Sequence, residues 1–268
     1  MENDTLIMGN KISEGGYGIV YHCMFKNEQS AIKISKMGGR KQMHHEITLL
    51  KDLDNIYIVK PLFVIYEPTS VKFIMKFGGN DLFYFVEEKI LKFQEKYDIL
   101  CQLIYALEHI HSKKICHRDL KLENILYDGK KITIIDFGLS YKYISNTFKT
   151  LTNRTGTLPY MSPEVYNNEI YDGFMLDMWS LGIIIFVLYM NYLPFNRPSF
   201  LDKAYAYTKL NEGSVSYLVN KFYNVEIVIP FIIDSILNNL LTNVFIRYDI
   251  YKIRLLIESD SKQCKDIS

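Results

Sequence analysis

The sequence predicts an α+β chain of two lobes, in which a small antiparallel sheet with one helix precedes a larger, mainly helical lobe. Short apolar runs separated by Gly and Asn turns, which are typical of strands, lie at 6–13, 18–25 and 30–35. Beyond Gly78 the apolar residues recur every three or four positions instead, which is typical of helices.

We expect a single domain over residues 1–268. The change from the strand pattern to the helix pattern sets its internal boundaries. The small lobe, the hinge, the large lobe and a polar tail are expected at about 1–77, 76–80, 81–258 and 259–268.

The remaining elements follow from the same two patterns. Within 39–52, Met43, Ile47 and Leu50 share one face of a helix, the only helix expected in the small lobe. Asp128-Gly129 between two apolar runs predicts a tight hairpin in the large lobe. Further strands are expected at 56–66 and 71–77, and further helices at 93–112, 176–192, 200–210, 230–241 and 247–258.

The composition is that of an ordinary globular protein. Of 268 residues, 49% are hydrophobic and 23% are charged, and a chain of this length can bury a large core. The formal net charge is only +1, so it gives no bulk attraction to nucleic acid or to an anionic membrane. We expect neither as a partner, and we expect a monomer.

The cysteines and the apolar stretches predict the compartment. No CxxC pair or metal-ligand cluster is formed by the four cysteines, which are Cys23, Cys101, Cys116 and Cys264. The longest apolar stretch, 181–190, is about half as long as a membrane span. The start of the chain lacks the basic and then apolar pattern of a signal peptide. We therefore expect a soluble protein of the cytoplasm or the nucleus.

Two short motifs carry most of the functional information. Residues 117–124 are His-Arg-Asp-Leu-Lys-Leu-Glu-Asn, and Asp136-Phe137-Gly138 begins twelve positions after Asn124. The predicted hairpin between them returns the chain, so two carboxylates, an amide and a lysine surround one point. Phosphoryl transfer from a metal-bound nucleotide needs such a set, with one carboxylate for the hydroxyl proton and another, with an amide, for Mg²⁺.

These motifs resemble the catalytic loop and the metal-binding motif of protein kinases, and the resemblance covers about residues 5–258. It implies the two-lobed kinase fold, with ATP and Mg²⁺ bound between the lobes. It implies that Asp119 accepts the proton of the substrate hydroxyl and that Lys121 neutralises the transferring group. It also implies that Asn124 and Asp136 hold Mg²⁺.

An earlier segment resembles the glycine-rich loop of the same family. Glycines there let backbone N–H groups approach phosphates, because no Cβ stands in the way. Ser13 stands where the family usually has a glycine, which implies a stiffer loop and weaker nucleotide affinity. The residues that the resemblance assigns to nucleotide binding here are Ile12, Ser13, Glu14, Gly15, Gly16, Tyr17, Gly18 and Val20.

Lys33, in Ala31-Ile32-Lys33, matches the family lysine that contacts the α- and β-phosphates, and Ala31 lies beside the nucleotide. The implied partner of Lys33 is Glu46, on the small-lobe helix, and the pair completes the catalytic set. Only thirteen positions separate them, fewer than the family usually shows. We therefore expect the helix to lack its first turn and to hold Glu46 less firmly.

The hinge of the resembling family matches residues 75–78. Met75 corresponds to the residue at the back of the nucleotide pocket, and Phe77 and Gly78 belong to the hinge backbone that pairs with adenine. Asp81 is placed to accept from the ribose hydroxyls. It is equally well placed to be a helix N-cap, and the sequence leaves both interpretations open.

Lys121 and the segment 156–164 (Gly-Thr-Leu-Pro-Tyr-Met-Ser-Pro-Glu) resemble the serine/threonine branch of the family. The resemblance implies that Thr157 bridges Asp119 and Lys121 and shapes a groove for a short side chain. His117 is expected to pack in the core rather than to act as a base. Two buried supports are also implied, an ion pair and an aspartate that anchors the catalytic loop, namely Glu164 with Arg247, and Asp177.

Arg118 directly precedes the proposed catalytic aspartate. In the family this arginine often binds a phosphate on the activation segment, which corresponds here to residues 140–155, through charge-assisted hydrogen bonds. A segment of unmodified hydroxyls is an equal alternative, and Thr150 and Thr152 are favoured only by position. The candidate phosphate acceptors are Ser145, Thr147, Thr150, Thr152 and Thr155.

The leading prediction is an ATP- and Mg²⁺-dependent protein serine/threonine kinase that acts on proteins and is controlled by an upstream kinase or an activating partner. The alternative is a nucleotide-binding pseudokinase or scaffold, which Ser13 and the short Lys33–Glu46 spacing favour. The segment 156–164 disfavours a tyrosine or small-molecule kinase. Glu123 and Asp81 predict a mild preference for Arg or Lys before the target hydroxyl.

Overall fold

The computed structural model describes residues 5–144 and 150–266, the last six of them by their backbone alone. It confirms the α+β architecture, because a five-stranded antiparallel sheet with one helix precedes a mostly helical lobe. One apolar core includes Met43 and Phe73 of the small lobe together with Trp179 and Leu237 of the large lobe. The two lobes therefore share a core and do not meet at the hinge alone.

The small-lobe sheet consists of β1 (Leu6–Glu14), β2 (Gly18–Phe25), β3 (Glu28–Ser35), β4 (Pro61–Tyr66) and β5 (Val71–Lys76). Their spatial order is β1-β2-β3-β5-β4. In this register Lys33 lies opposite Val20 of β2 and Phe73 of β5. Because side chains alternate along a strand, Ala31 and Lys33 share one face, and that face borders the space between the lobes.

Helix α1 (Arg40–Leu50) packs against β5. Its buried residues include Met43, Ile47 and Leu50, the three whose helical spacing predicts this face. The helix begins directly after Gly39, whose carbonyl accepts from Met43 N at 3.0 Å. It is a short helix, as the spacing of Lys33 and Glu46 implies.

The helices of the large lobe are α2 (Leu82–Glu87), α3 (Phe93–Ser112), α4 (Pro163–Tyr166), α5 (Gly173–Met190), α6 (Lys203–Leu210), α7 (Val215–Tyr223), α8 (Phe231–Leu240) and α9 (Ile250–Asp266). Helix α5 contacts α3 and α8. By length and composition alone it would be able to cross a membrane, but 94% of it is buried inside the protein. Its apolar character on all sides is therefore explained by its place at the centre of the large lobe.

Short strands hold the loops beneath the small lobe. They are β6 (Asn80–Asp81), β7 (Ile115–Cys116), β8 (Ile125–Tyr127), β9 (Ile132–Ile134) and β10 (Tyr141–Lys142). Strands β8 and β9 form the predicted hairpin, with Gly129 at a positive φ of 89° in its turn. Ile135 N donates to Asn124 O at 3.0 Å, so the hairpin brings its two ends, and with them Asn124 and Asp136, together.

Several boundaries differ from the sequence predictions. Helix α7 is not predicted, because its Ser and Asn residues interrupt the apolar pattern. Residues 56–60 form a turn with a single bridge from Ile58 to Ile134, and the strand starts only at Pro61. Helix α9 begins at Ile250 rather than at 247 and continues through most of the expected tail to Asp266, since no Gly or Pro stops it.

Candidate active site

A cavity of about 400 Å³ lies between the lobes, a size that accommodates a nucleotide. Every residue that the sequence assigns to nucleotide or metal binding lines it, together with Lys33, Glu46 and Lys121. The assigned nucleotide residues on its wall are Ile12, Ser13, Glu14, Gly15, Gly16, Tyr17, Gly18, Val20, Ala31, Met75, Phe77, Gly78 and Asp81, and the assigned metal ligands are Asn124 and Asp136.

The glycine-rich loop is the turn between β1 and β2. Gly15 N donates to Gly18 O at 2.9 Å and closes this turn. A Cβ on Gly18 would lie 3.1 Å from the Ile34 carbonyl oxygen, so the glycine allows a close approach to β3. Ser13 pairs with Val20 in the strand ladder. The departure from the family at Ser13 therefore lies in the strand, and the turn itself keeps its glycines.

Lys33 lies between two carboxylates. Its Nζ is 2.7 Å and 3.0 Å from the two oxygens of Glu46 and 2.8 Å from Asp136 Oδ1. Glu46 also accepts from Phe137 N at 3.2 Å, next to Asp136. Glu46 reaches its expected partner despite the short connection, because its buried carboxylate contacts both Lys33 and the main chain that carries Asp136.

Charge and burial act in opposite directions on these three groups. Burial lowers the pKa of Lys33, but the neighbouring carboxylates of Glu46 and Asp136 outweigh it and raise the pKa above its ordinary value. Burial raises the pKa of Asp136, but Lys33 outweighs it and the pKa lies below its ordinary value. Burial raises the pKa of Glu46, against the opposing effect of Lys33. At neutral pH Lys33 is therefore a cation and Asp136 an anion.

The upper part of the cavity is apolar. Val20 and Ala31 contribute from the small lobe and Leu126 from the large lobe. A Cβ on Gly78 would be 2.7 Å from Leu126 Cδ1, so glycine lets the hinge lie directly on this side chain. Sequence reasoning missed Leu126, although its position two residues after a predicted metal ligand was a signal. Other wall residues that it missed, which carry no chemical motif, are Gln42, Met43, Val59, Phe73 and Ile135.

Both interpretations of Asp81 agree with the structure. Its Oδ1 accepts from Tyr84 N at 2.9 Å and caps helix α2. The same residue lines the cavity at the hinge end. The helix cap is therefore formed, and the contact of Asp81 with a ribose stays a prediction.

The loop at 117–124 is fixed by a buried aspartate. Asp177 of α5 accepts from His117 N and from Arg118 N, both at 2.8 Å. Arg118 adopts a positive φ of 68° there, a strained conformation that these bonds maintain. The His117 ring lies 4.8 Å from that of Phe137, and its Nε2 is 3.0 Å from Ile135 O. Asp177 therefore anchors this loop, and His117 packs in the core, as the resemblance implies.

Asp119 lies in a small cleft beside the main cavity, and Thr157 lines that cleft with it. Thr157 Oγ1 donates to Asp119 Oδ1 and accepts from Lys121 Nζ, both at 2.8 Å. Lys121 Nζ is also 3.3 Å from Asp119 Oδ2. Asn124 Nδ2 donates to Asp119 O at 2.8 Å and connects this cleft to the cavity. Thr157 thus bridges Asp119 and Lys121, as the resemblance implies.

The donors on the cavity floor fit Mg²⁺. Asn124 uses its Nδ2 for the bond to Asp119, which leaves its amide oxygen without a donor in the part of the chain that the structure describes. Asp136 Oδ1 accepts from Lys33 Nζ, and the other carboxylate oxygen of Asp136 could be a second ligand. No group of three or more His, Cys, Asp or Glu able to hold a metal occurs among the described residues. Two oxygen ligands suit an ion that keeps water and phosphate oxygens around it.

A buried ion pair lies inside the large lobe. Arg247 Nη1 and Nη2 contact the two oxygens of Glu164 at 2.6 Å and 3.2 Å. Arg247 also donates to Met175 O and Thr242 O, and its guanidinium lies 5.0 Å from the Trp179 ring. The pair predicted from the sequence is therefore formed and is bidentate, with its arginine fully enclosed.

The activation segment is described only in part. Thr150 and Thr152 are exposed, and Thr155 is half-buried. The other two candidate phosphate acceptors, Ser145 and Thr147, lie outside the described residues. Phosphorylation of any of these hydroxyls therefore stays a prediction.

Comparison with known proteins agrees with this geometry. The family model of the protein kinase domain matches residues 6–244. CBL-interacting protein kinase 5 of Oryza sativa is 32% identical over 221 residues, which are 78% of this chain and 47% of the relative. SNF1-like protein kinase ssp2 of Schizosaccharomyces pombe is 35% identical over 200 residues, 71% of this chain and 34% of the relative.

A second plant relative is similar over the same share of the chain. CBL-interacting serine/threonine-protein kinase 15 of Arabidopsis thaliana is 34% identical over 221 residues, 78% of this chain and 52% of the relative. The chain thus spans about a third to a half of the length of these relatives. What they share with it is the domain that contains the cavity.

Proposed function

The chain belongs to the protein kinase family, and on that premise we propose that it is a protein serine/threonine kinase that depends on ATP and Mg²⁺. One observation carries the proposal. Lys33 lies between Glu46 and Asp136 at 2.7–2.8 Å, on the wall of a cavity that Asn124 and Lys121 also line. A cation held by two carboxylates, beside a free amide oxygen, suits a metal-bound triphosphate better than any apolar ligand.

The nucleotide would bind with its base between Val20, Ala31 and Leu126, against the hinge. The phosphates would extend under the turn at Gly15–Gly18, where main-chain N–H groups are unobstructed by side chains. Lys33 would contact the α- and β-phosphates while Glu46 keeps its ammonium in place. Asn124 and Asp136 would hold the Mg²⁺ that neutralises charge on the phosphates when the nucleotide is bound.

The residues beside Asp119 support a role in transfer to a hydroxyl. Asp119 would accept the proton of the substrate alcohol, and Thr157 orients its carboxylate at 2.8 Å. Lys121, held by the same threonine, would stabilise the negative charge on the transferring group. No covalent enzyme intermediate is needed, because orientation and charge stabilisation supply most of the acceleration in this reaction class.

Substrate and control are part of the same proposal. We propose protein substrates with Ser or Thr, since Thr157 narrows the cleft at Asp119. We also propose a mild preference for Arg or Lys before the target hydroxyl, since exposed Glu123 lines the cavity. Some relatives are named as CBL-interacting, which supports a regulatory partner protein here as well. Control would come either from an activating partner on α1 or from an upstream kinase.

We further propose a cytoplasmic or nuclear monomer. Cys23, Cys101 and Cys116 are unpaired, as expected in a reducing compartment. The proposal excludes nucleic acid and membrane as partners, because the net charge of +1 attracts neither.

The test is transfer of label from γ-labelled ATP, in the presence of Mg²⁺, to a generic basic protein, followed by phosphoamino acid analysis. We expect phosphoserine or phosphothreonine with the natural chain, and background label with Lys33→Met. Transfer that survives Lys33→Met would contradict the proposal. Binding of Mg²⁺-nucleotide without any transfer would favour the pseudokinase alternative.

A further inference from the structure

The activation segment is attached to the large lobe on both sides of residues 145–149. On the first side, β10 pairs with β7, and Tyr143 is buried with its hydroxyl accepting from Gly173 N at 2.9 Å. On the second side, Leu151 is buried in the same apolar cluster as Tyr143. The segment therefore has two anchors in one cluster that is separate from the main core.

The second anchor is a set of three bonds to Tyr171. Leu151 N donates to Tyr171 O at 2.8 Å, and Tyr171 N donates to Leu151 O at 2.9 Å. The buried Tyr171 hydroxyl then donates to Asn153 O at 3.0 Å. Burial raises the pKa of this hydroxyl, despite the opposing effect of nearby Arg118, so it stays a donor at neutral pH. These bonds fix the main chain at 151–153.

Asn153, held in this way, contacts the catalytic loop. Arg118 Nη2 donates to Asn153 Oδ1 at 3.1 Å, and the arginine is almost fully buried. Its Nε has no partner among the described residues. The neutral amide of Asn153 is therefore an acceptor for this buried cation, beside the Tyr171 hydroxyl, which also interacts with Arg118.

The segment after Asn153 also lies against the same loop. A Cβ on Gly156, which has a positive φ of 94°, would be 2.8 Å from Arg118 O. Thr157 then bonds to Asp119. Residues 153–157 thus touch Arg118 at its side chain and its carbonyl and touch Asp119 next to it.

We propose that Asn153 is a positioning residue for phosphoryl transfer, which holds Arg118 and thereby Asp119, so that the catalytic loop is set without any phosphate on the activation segment. The inference rests on the proposed function. It makes an upstream kinase unnecessary for activity and leaves a partner protein or abundance as the means of control. A phosphate would add charge near Arg118, but the anchors at Tyr143, Leu151 and Tyr171 need none.

The experiment uses the full chain produced together with a phosphatase, with its phosphate-free state established by intact mass before and after the assay. Initial rates give kcat and the KM for ATP and for a peptide. We expect the phosphate-free chain to keep at least about half of the kcat of the chain produced without phosphatase. Thr150→Ala combined with Thr152→Ala, at two exposed neighbours of the anchor, is the matched control and should also keep kcat.

Asn153→Ala is expected to lower kcat about tenfold, the effect of losing one hydrogen bond to a charged group, with the KM for ATP within about twofold. Asn153→Asp should recover most of kcat, because its carboxylate accepts from Arg118. In an Arg118→Met background, Asn153→Ala should have little further effect. A structural role alone would give neither the rescue nor this coupling. Thermal unfolding of each variant checks that the fold is kept.

Two results would overturn the inference while leaving the proposed function intact. One is a fall of tenfold or more in kcat when phosphate is removed from the natural chain. This comparison involves no substitution. The other is an unchanged kcat in Asn153→Ala. A natural chain with no transfer in either phosphorylation state would instead contradict the proposed function.

Discussion

Gly39, at the start of α1, lies against Tyr17 of the glycine-rich loop so closely that a Cβ on Gly39 would be 2.1 Å from the Tyr17 carbonyl oxygen. The same oxygen accepts from Lys36 N at 2.9 Å. The Lys36 ammonium contacts Glu14 at 2.6 Å. The short connection between β3 and α1 therefore packs against the glycine-rich loop.

Gly39→Ala is expected to separate the loop from α1, because the new methyl group overlaps a main-chain atom. We expect the free energy of unfolding to fall by about 1–3 kcal/mol, as for other overpacked sites, and the KM for ATP to rise. Urea unfolding and steady-state kinetics measure the two effects. Met37→Ala, at a fully exposed position in the same connection, is the control and should change stability by less than about 0.5 kcal/mol. If Gly39→Ala and Met37→Ala had the same free energy of unfolding and the same KM for ATP, the contact between Gly39 and Tyr17 would have no effect on either quantity.

Glu46→Gln is expected to lower kcat/KM by about 10- to 100-fold. The substitution removes a charged partner from Lys33 and leaves Asp136 as its remaining carboxylate, and a hydrogen bond between charged groups contributes about 1.5–3 kcal/mol. Glu28→Gln, at the exposed first residue of β3, is the matched control. The importance assigned to the pair would be refuted by a Glu46→Gln enzyme with the kinetics of the control.

Glu14 gives a pH-dependent prediction for the glycine-rich loop. Hydrogen bonds and charge from Lys36 and Lys11 lower its pKa to about 2. The folded state therefore favours the carboxylate, so the ion pairs are complete above the ordinary value of about 4.3 and are lost as the pH falls toward 2. Carbon-detected NMR of the Glu14 carboxyl should show it mostly ionised at a pH of about 3. Lys36→Met should move the midpoint upward, whereas a natural-chain midpoint near 4.3 would contradict the pairing.

Glu164→Gln is expected to lower the free energy of unfolding by about 3–5 kcal/mol, because it leaves the buried Arg247 without a counter-charge. Chemical denaturation measures this loss directly. Glu108→Gln, which breaks a partly exposed pair with Arg254, should cost no more than about 1 kcal/mol. If both variants lost a similar free energy of unfolding, the buried Glu164–Arg247 pair would stabilise the fold no more than the partly exposed Glu108–Arg254 pair does.

The part of the site that the sequence predicts best is the part where chemistry restricts residue type and spacing. Asp119, Lys121, Asn124 and Asp136 are recognisable because a metal-bound phosphate needs two acids, an amide and a cation at short range. The hairpin at Asp128-Gly129 is recognisable because its turn needs a positive φ. The two-lobed order follows from the change of apolar period near Gly78.

The contacts that the sequence does not predict depend on long-range packing. Asn153 is one polar residue in a polar loop, and only its bonds to Tyr171 and Arg118 make it distinctive. The position of Glu46 depends on its contacts with Lys33 and Phe137 N, which lie 13 and 91 positions away in the sequence. Helix α7 is stabilised by burial of Leu218 and Val219, which its interrupted apolar pattern does not signal.

The central claim is that two lobes bind Mg²⁺-nucleotide and direct it at a hydroxyl oriented by Asp119. Its most direct test combines calorimetry of Mg²⁺-nucleotide binding with phosphoryl transfer in the natural chain and in Asp119→Asn. We predict that the variant binds the nucleotide within about threefold of the natural affinity but loses at least about 99% of kcat, because only the proton acceptor is removed. A variant that transfers phosphate at the natural rate, or a natural chain that takes up no Mg²⁺-nucleotide, would contradict the claim.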